Sequence, residues 1–162
     1  MGAAVRARGS SGLVLATLVL GCGAGEGAVF EGPGLTVSHV YATPPLAEGR
    51  PGALYLFVTS QGEADALVEL SGADLERGEL HVTGQADGRR TMERVDSLPI
   101  PAAGRLELRP GGAHGMLFGI ASRALEAGRV SARLRFRSGA VVPVTARVVS
   151  PGELEELLGP AR

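Results

Sequence analysis

The chain has 162 residues, of which 44% are apolar and 4% aromatic, and its formal net charge is −1. That length accommodates one compact domain with short appendages. The apolar fraction argues against global disorder, and with no Trp the core must be built mainly from Val, Leu, Ile and Ala. Every basic residue is Arg, and apart from Arg89-Arg90 and the alternating Arg133, Arg135 and Arg137 these are scattered. No basic face interleaved with aromatics appears, so nucleic acid is not an expected partner. The alternating arginines read as the solvated face of a strand.

The N-terminus reads as an export signal. Arg6 and Arg8 precede the apolar run Leu-Val-Leu-Ala-Thr-Leu-Val-Leu at residues 13–20, far short of the ~20 residues that span a bilayer. Gly21 and Cys22 follow at once, completing the order of charge, short apolar run and small residue. Cys22 is the only cysteine, so no intramolecular disulfide can form. Val19-Leu20-Gly21-Cys22 resembles the bacterial lipobox, which implies cleavage before Cys22 and its acylation. Residues 1–21 are then a lipoprotein-type signal peptide. Leu20 is larger than the residue usual there. Gly23 after the cysteine favours, by resemblance to lipoprotein sorting, an outer membrane if the envelope has one. Residues 22–34, rich in Gly, read as a flexible tether.

From Leu35 to Val149 short β-rich runs alternate with turn residues. Strands are expected at Leu35–Ala42, Ala53–Thr59, Ala66–Leu70, Glu79–Thr83, Arg90–Val95, Arg105–Leu108, His114–Ile120, Val130–Arg137 and Val141–Val149. Asp87-Gly88 and Ser138-Gly139 mark hairpins. Ser122–Ala127 reads as a short helical turn capped by Ser122 and stopped by Gly128. With no long helical period, the pattern predicts an all-β antiparallel sandwich without a buried helix over residues 35–149. Residues 150–162 form a C-terminal appendage, with a helical turn or two after Pro151.

Soft metal ligands are few. Beyond the initiator the methionines are Met92 and Met116, and the histidines are His39, His81 and His114. Four of these five form one pattern: His81, ten residues, Met92, twenty-one residues, His114, one residue, Met116. On a strand His114 and Met116 share a face, because side chains alternate. In Glu79-Leu80-His81-Val82-Thr83 the apolar residues claim the core face, so His81 points outward with Glu79 and Thr83. The turn at Asp87-Gly88 brings Met92 back toward the His81 strand. Thioethers are soft, neutral donors that suit Cu(I) and serve zinc, magnesium and calcium poorly. A blue-copper centre needs a thiolate beside two histidines, and the one cysteine lies at the tether. His39 falls outside the pattern, in a strand-like context, and reads as structural.

With this spacing the sequence resembles the periplasmic copper chaperone family called PCuAC. The family pattern of His, ten residues, Met, twenty-one residues, His, any residue, Met is matched at every gap. Ala42-Thr43-Pro44-Pro45 is similar to the family's Ala-Thr-Pro-Pro turn, and Pro110-Gly111-Gly112-Ala113-His114-Gly115-Met116-Leu117 to its Pro-Gly-Gly-x-His-x-Met-Leu segment. The resemblance covers roughly Leu35 to Val149. It implies a cupredoxin-like β-sandwich, one Cu(I) held by His81, Met92, His114 and Met116, and a non-catalytic role. The implied partner is a copper-accepting envelope protein, either cytochrome c oxidase or a thioredoxin-like Sco protein. Three features depart from the family: Thr59-Ser60-Gln61-Gly62 replaces an Asn-containing turn, Thr83 stands where many members carry Met, and the C-terminal tail lacks His and Met.

The expected protein is therefore a monomer in the periplasm or cell envelope, touching the membrane only through its lipid. Two alternatives remain open at this level: a tethered copper buffer without delivery to oxidase, and a metal-free sandwich that binds another envelope protein. No Gly-x-Ser-x-Gly elbow or His-Glu-x-x-His helix points to an enzyme.

Overall fold

Eleven strands account for most of the described residues, and the alternation seen in sequence carries through to burial in several of them. The computed structural model describes residues 30–32, 34–86 and 88–159. Residues 1–21, expected as a signal peptide, Cys22 and most of the expected tether lie outside these residues. The strands are β1 (Phe30–Gly32), β2 (Leu35–Thr43), β3 (Gly52–Ser60), β4 (Asp65–Ser71), β5 (Arg77–Ala86), β6 (Arg89–Val95), β7 (Leu98–Ile100), β8 (Arg105–Leu108), β9 (Ala113–Phe118), β10 (Arg129–Phe136) and β11 (Val141–Val148). Two short helices, α1 (Ser122–Glu126) and α2 (Pro151–Leu158), complete the fold. In β10 the residues Val130, Ala132, Leu134 and Phe136 are buried while Arg129, Ser131, Arg133 and Arg135 are exposed, so the alternating arginines do form a solvated face.

Hydrogen bonding follows one path, β6-β5-β9-β3-β2-β11-β10-β4-β7. That path folds over on itself around a shared core of Val37, Leu54, Leu56, Leu67, Leu70, Leu117, Leu134 and Val142, among others. The result is a cupredoxin-like β-sandwich, with β4 packed across the core from β5 and β9. One pairing departs from the expected antiparallel pattern. β11 runs parallel to β2, with Arg147 beside Tyr41 and Val148 beside Ala42. The two strands come from opposite ends of the domain, so no hairpin constrains their direction.

Local chemistry explains most element ends. Ala86 pairs with Arg89 around Gly88, whose φ is +72°, so the hairpin expected at Asp87-Gly88 is present. β8 and β9 lie on the same edge of β3, since Leu56 pairs with Leu108 and Leu54 with Gly115. The chain between them leaves the sheet as a loop at Pro110-Gly111-Gly112. Arg109 N–H donates to Ala113 O at 2.8 Å and Gly112 N–H to Arg109 O at 3.1 Å, closing a tight turn. Gly111, at φ +78°, takes the left-handed position that follows Pro in such turns.

Several boundaries differ from expectation. Phe30–Gly32, assigned to the tether, pairs with β2. β7, at three residues, is too short to show a period and pairs with β4. Ser122 lies inside α1, and Ala121 is the N-cap without a side-chain bond; its backbone N–H is instead taken by Asp74 O at 2.9 Å. The C-terminal segment packs as a helix. Ser150 caps α2, Pro151 occupies its first turn, and Leu154 and Leu158 are buried against Tyr41, Phe57 and Val149. Arg109 Nη1 donates to Leu158 O at 3.0 Å and Gly159 O at 3.1 Å, satisfying carbonyls that a helix end leaves unpaired.

The layers approach closely only because two core-facing positions lack Cβ. At Gly78 of β5 a Cβ would stand 2.3 Å from the Leu70 carbonyl oxygen, and at Gly115 of β9 it would stand 2.7 Å from Leu70 Cδ2. The first obstacle is backbone and cannot swing aside. Gly78→Ala is expected to destabilise the domain by about 1–3 kcal/mol through overpacking. Gly152→Ala in α2, where nothing lies within 4 Å, should be neutral or stabilising by up to about 1 kcal/mol. Urea unfolding of the two variants beside the parent checks both.

Candidate metal centre

The outer face of β6, β5 and β9 gathers the residues singled out in the sequence. β5 and β9 run antiparallel with His81 directly opposite His114 and Glu79 opposite Met116. β5 and β6 pair Thr83 with Met92 and His81 with Arg94. Directly paired residues share a face and so do residues two apart along a strand. His81, His114, Met116 and Met92 therefore all belong to one face, with Met92 diagonal to His81. The opposite face carries Leu80, buried in the core, and Gly115 beside it. His81 thus points away from the core, as the alternation in β5 predicts.

Burial differs sharply among the four. His114 is 5% exposed, whereas Met92, on edge strand β6, is 54% exposed. His81 and Met116 are half-buried. A shallow cleft of about 270 Å³ lies here, lined by Tyr55, Thr83, Met92, Pro110, Gly111 and His114 with Arg90 and Thr91. The Pro110-Gly111-Gly112 loop forms one wall. Gly112 O accepts from Thr83 N–H at 3.0 Å and from His114 Nδ1 at 3.0 Å. The loop is thereby tied to β5, and the His114 ring is turned so that Nε2 keeps its lone pair.

The two imidazoles lie with ring centroids 6.0 Å apart and planes inclined at 35°. A metal–imidazole bond is about 2.0 Å long, which puts an ion roughly 3 Å from each ring centre and a bridged pair at roughly 6 Å or less. The separation therefore fits one ion held between the rings. His81 Nε2 and Glu79 Oε2 are 2.9 Å apart. The other ring nitrogen, His81 Nδ1, is buried without a hydrogen-bond partner. Among the described residues no group of three or more His, Cys, Asp or Glu could hold a metal. The donor set at this face is mixed imidazole and thioether.

Two residues of this face carried no role in the sequence. Glu79 is assigned outward by strand alternation, but its bond to His81 and its place across from Met116 require the β5–β9 register. Tyr55, on β3, lines the cleft beside His114; burial raises its phenol above the ordinary range, partly offset by its bond to the Thr43 side chain. His39 lies elsewhere, on β2. It occupies the irregularity between Ser38 and Tyr41 with φ +55°, and its ring lies 4.7 Å from that of Phe57. That placement agrees with a structural role.

A cupredoxin-like sandwich with an outward His and Met face defines a class, and comparison with solved structures gives the same class. The copper-bound PCuAC domain from PmoF2 superposes with a TM-score of 0.64 at 22% identity, covering 76% of this chain and 99% of that one. The solution structure of apo-DR1885 from Deinococcus radiodurans superposes at 0.54 with 26% identity, covering 88% and 97%. Its CuI form superposes at 0.52 with 30% identity, covering 69% and 77%. The protein is thus of the PCuAC type. The chain belongs to the LpqE-like family, described as putative lipoproteins LpqE-like, whose model matches residues 35–148. A curated relative, the putative lipoprotein Lxx21020 of Leifsonia xyli subsp. xyli, is 43% identical over 72 residues. The match spans 43% of this chain and 43% of that protein.

Burial lowers the His114 pKa below the ordinary histidine value; its bond to Gly112 O opposes this and the nearby His81 adds to it. The folded state therefore favours neutral His114 and the unfolded chain takes up the proton first. As pH falls through about 6.5 this residue should cost stability, and the loss should level off once the folded form is protonated too. The His114 ring signals in a proton NMR titration of the metal-free protein should move at lower pH than those of free histidine.

Proposed function

We propose that this protein is an exported, lipid-anchored Cu(I) carrier that holds one ion with His81, Met92, His114 and Met116 and passes it to an envelope acceptor. The observation that carries the reading is the β5–β9 register. It sets His81 against His114 with Met116 two residues along, and leaves one lone pair on each imidazole. The copper named for the PmoF2 domain and for DR1885 supports the same cargo. Two thioethers beside two imidazoles select a soft ion, and the absence of thiolate leaves the affinity moderate. A carrier needs that balance, because a thiolate-bearing acceptor then receives the ion downhill. Exposed Met92 on an edge strand gives such an acceptor a first ligand to displace. Cytochrome c oxidase and Sco-like proteins are the acceptors implied by the family resemblance. Cys22 supplies the anchor in this reading, in keeping with the lipoprotein descriptions of the family and of its relative.

Titration with Cu(I) against a chromophoric competitor should give one ion per chain. Met92→Leu and Met116→Leu should each weaken binding by about tenfold or more, a loss of roughly 1.4 kcal/mol, while His39→Ala should leave it unchanged. Loaded protein mixed with a reduced two-cysteine copper acceptor should lose its metal. Retention against excess acceptor, or unaltered binding by both Met→Leu variants, rejects the carrier reading.

The anchor is tested separately. Intact-mass spectrometry of the protein from its native membrane should show residue 22 as the first residue, carrying acyl groups. A chain cleaved beyond Cys22, or an unmodified Cys22, rejects lipidation without touching the metal site.

A further inference from the structure

We infer that Glu79 is a positioning residue that selects Nδ1 of His81, rather than Nε2, as the metal donor and supplies a negative charge behind that imidazole. The inference rests on the copper-carrier reading and adds to it a donor atom and a fifth residue.

The hydrogen bonds determine the tautomer. Glu79 Oε2 stands 2.9 Å from His81 Nε2. A carboxylate only accepts, so the proton must sit on Nε2. The other tautomer would oppose two acceptors at that distance. It would also place an N–H on Nδ1, a buried nitrogen with no acceptor to receive it. With Nε2 protonated, Nδ1 carries a lone pair and needs no donor if a metal binds there. His114 is the reverse case: its Nδ1 donates to Gly112 O at 3.0 Å, leaving Nε2. One imidazole thus offers Nδ1 and the other Nε2.

The carboxylate is itself held. Its second oxygen, Oε1, accepts from Arg77 Nε at 2.9 Å and lies 3.5 Å from Arg94 Nη1. The two oxygens therefore have separate tasks: Oε1 is tied to the arginines and Oε2 is left for the imidazole. The Glu79 and His81 side chains are only 12% and 13% exposed, whereas Arg77 and Arg94 are 58% and 65% exposed. Water screens the arginine charges far more than that of the carboxylate. All four proposed ligands are neutral, so a bound Cu(I) adds one positive charge to a partly dry site. Glu79, opposite Met116 in the register, is the carboxylate placed to offset it. A carboxylate behind a ligating histidine also makes the imidazole a stronger donor.

The test uses the full chain labelled with 15N. Long-range 1H–15N correlation on the metal-free protein should show His81 protonated at Nε2 and His114 at Nδ1. On loading with Cu(I), the large 15N shifts should fall on His81 Nδ1 and His114 Nε2. Glu79→Leu removes both acceptor and charge. It should abolish the single His81 tautomer and weaken Cu(I) binding about 10–100-fold. Glu79→Gln keeps an acceptor oxygen without the charge; it should retain the tautomer and show a smaller loss. Dispersed amide spectra of both variants confirm that they fold. A Nδ1–H tautomer in the parent, a copper shift on His81 Nε2, or parental affinity in Glu79→Leu overturns the inference alone. A parent that binds no Cu(I) overturns the carrier reading and the donor assignment together.

Discussion

The candidate metal face depends on one constraint, the antiparallel register between β5 and β9. Side chains alternate along a strand, so a slip of one residue would send the site residues of one strand into the core and its core residues to solvent. The register is held from behind. Leu80 is buried opposite Gly115, and Leu70 of the facing layer fills the space left by Gly115 and Gly78. Two residues without side chains thus decide how closely the layers meet. That closeness fixes which pairs of side chains stand opposite each other on the outer face. The core and the site are two sides of the same pair of strands.

The Pro110-Gly111-Gly112 loop adds the second element of precision. It interrupts the line of strands β8 and β9 beside β3, and it returns the chain to the sheet just before His114. Its Gly112 carbonyl bonds both the β5 backbone and the His114 ring. A backbone atom in a closed turn is a more rigid orienting group than a long side chain, because it has no rotamers to lose. His114 is accordingly the most buried and most firmly directed of the four residues. Met92, on an edge strand, is the least. This gradient from fixed to open runs across the face from β9 to β6, and it suits the carrier role proposed above.

Elsewhere the structure spends its polar interactions on closure. Arg109 joins the site loop to α2 through the carbonyls of Leu158 and Gly159, and its guanidinium lies 4.5 Å from the Phe57 ring centre. Phe57 is also approached by His39 at 4.7 Å and by Arg105 at 4.1 Å. The smaller cluster under α2 is therefore finished by cations over an aromatic face. His39 belongs to that assembly, away from the candidate metal face.

Much of this was legible in sequence. Short β-rich runs bounded by turn residues marked nine of the eleven strands. The spacing of His81, Met92, His114 and Met116 singled out the soft donors because the chain contains so few others. Outward placement of His81 followed from Leu80 and Val82 claiming the core. Strands β1 and β7 escaped notice because three residues carry no period, and the N-cap of α1 falls one residue before Ser122, on an alanine that makes no side-chain bond. The parallel pairing of β11 with β2 was equally hidden, since local pattern contains no strand order. Above all, the sequence could not say which residue faces which across β5 and β9. The partnership of Glu79 with His81, the unpaired Nδ1 and the 6.0 Å between the two rings follow from register. Register is decided by how two layers close over Gly78 and Gly115, a contact between segments that only the folded chain brings together.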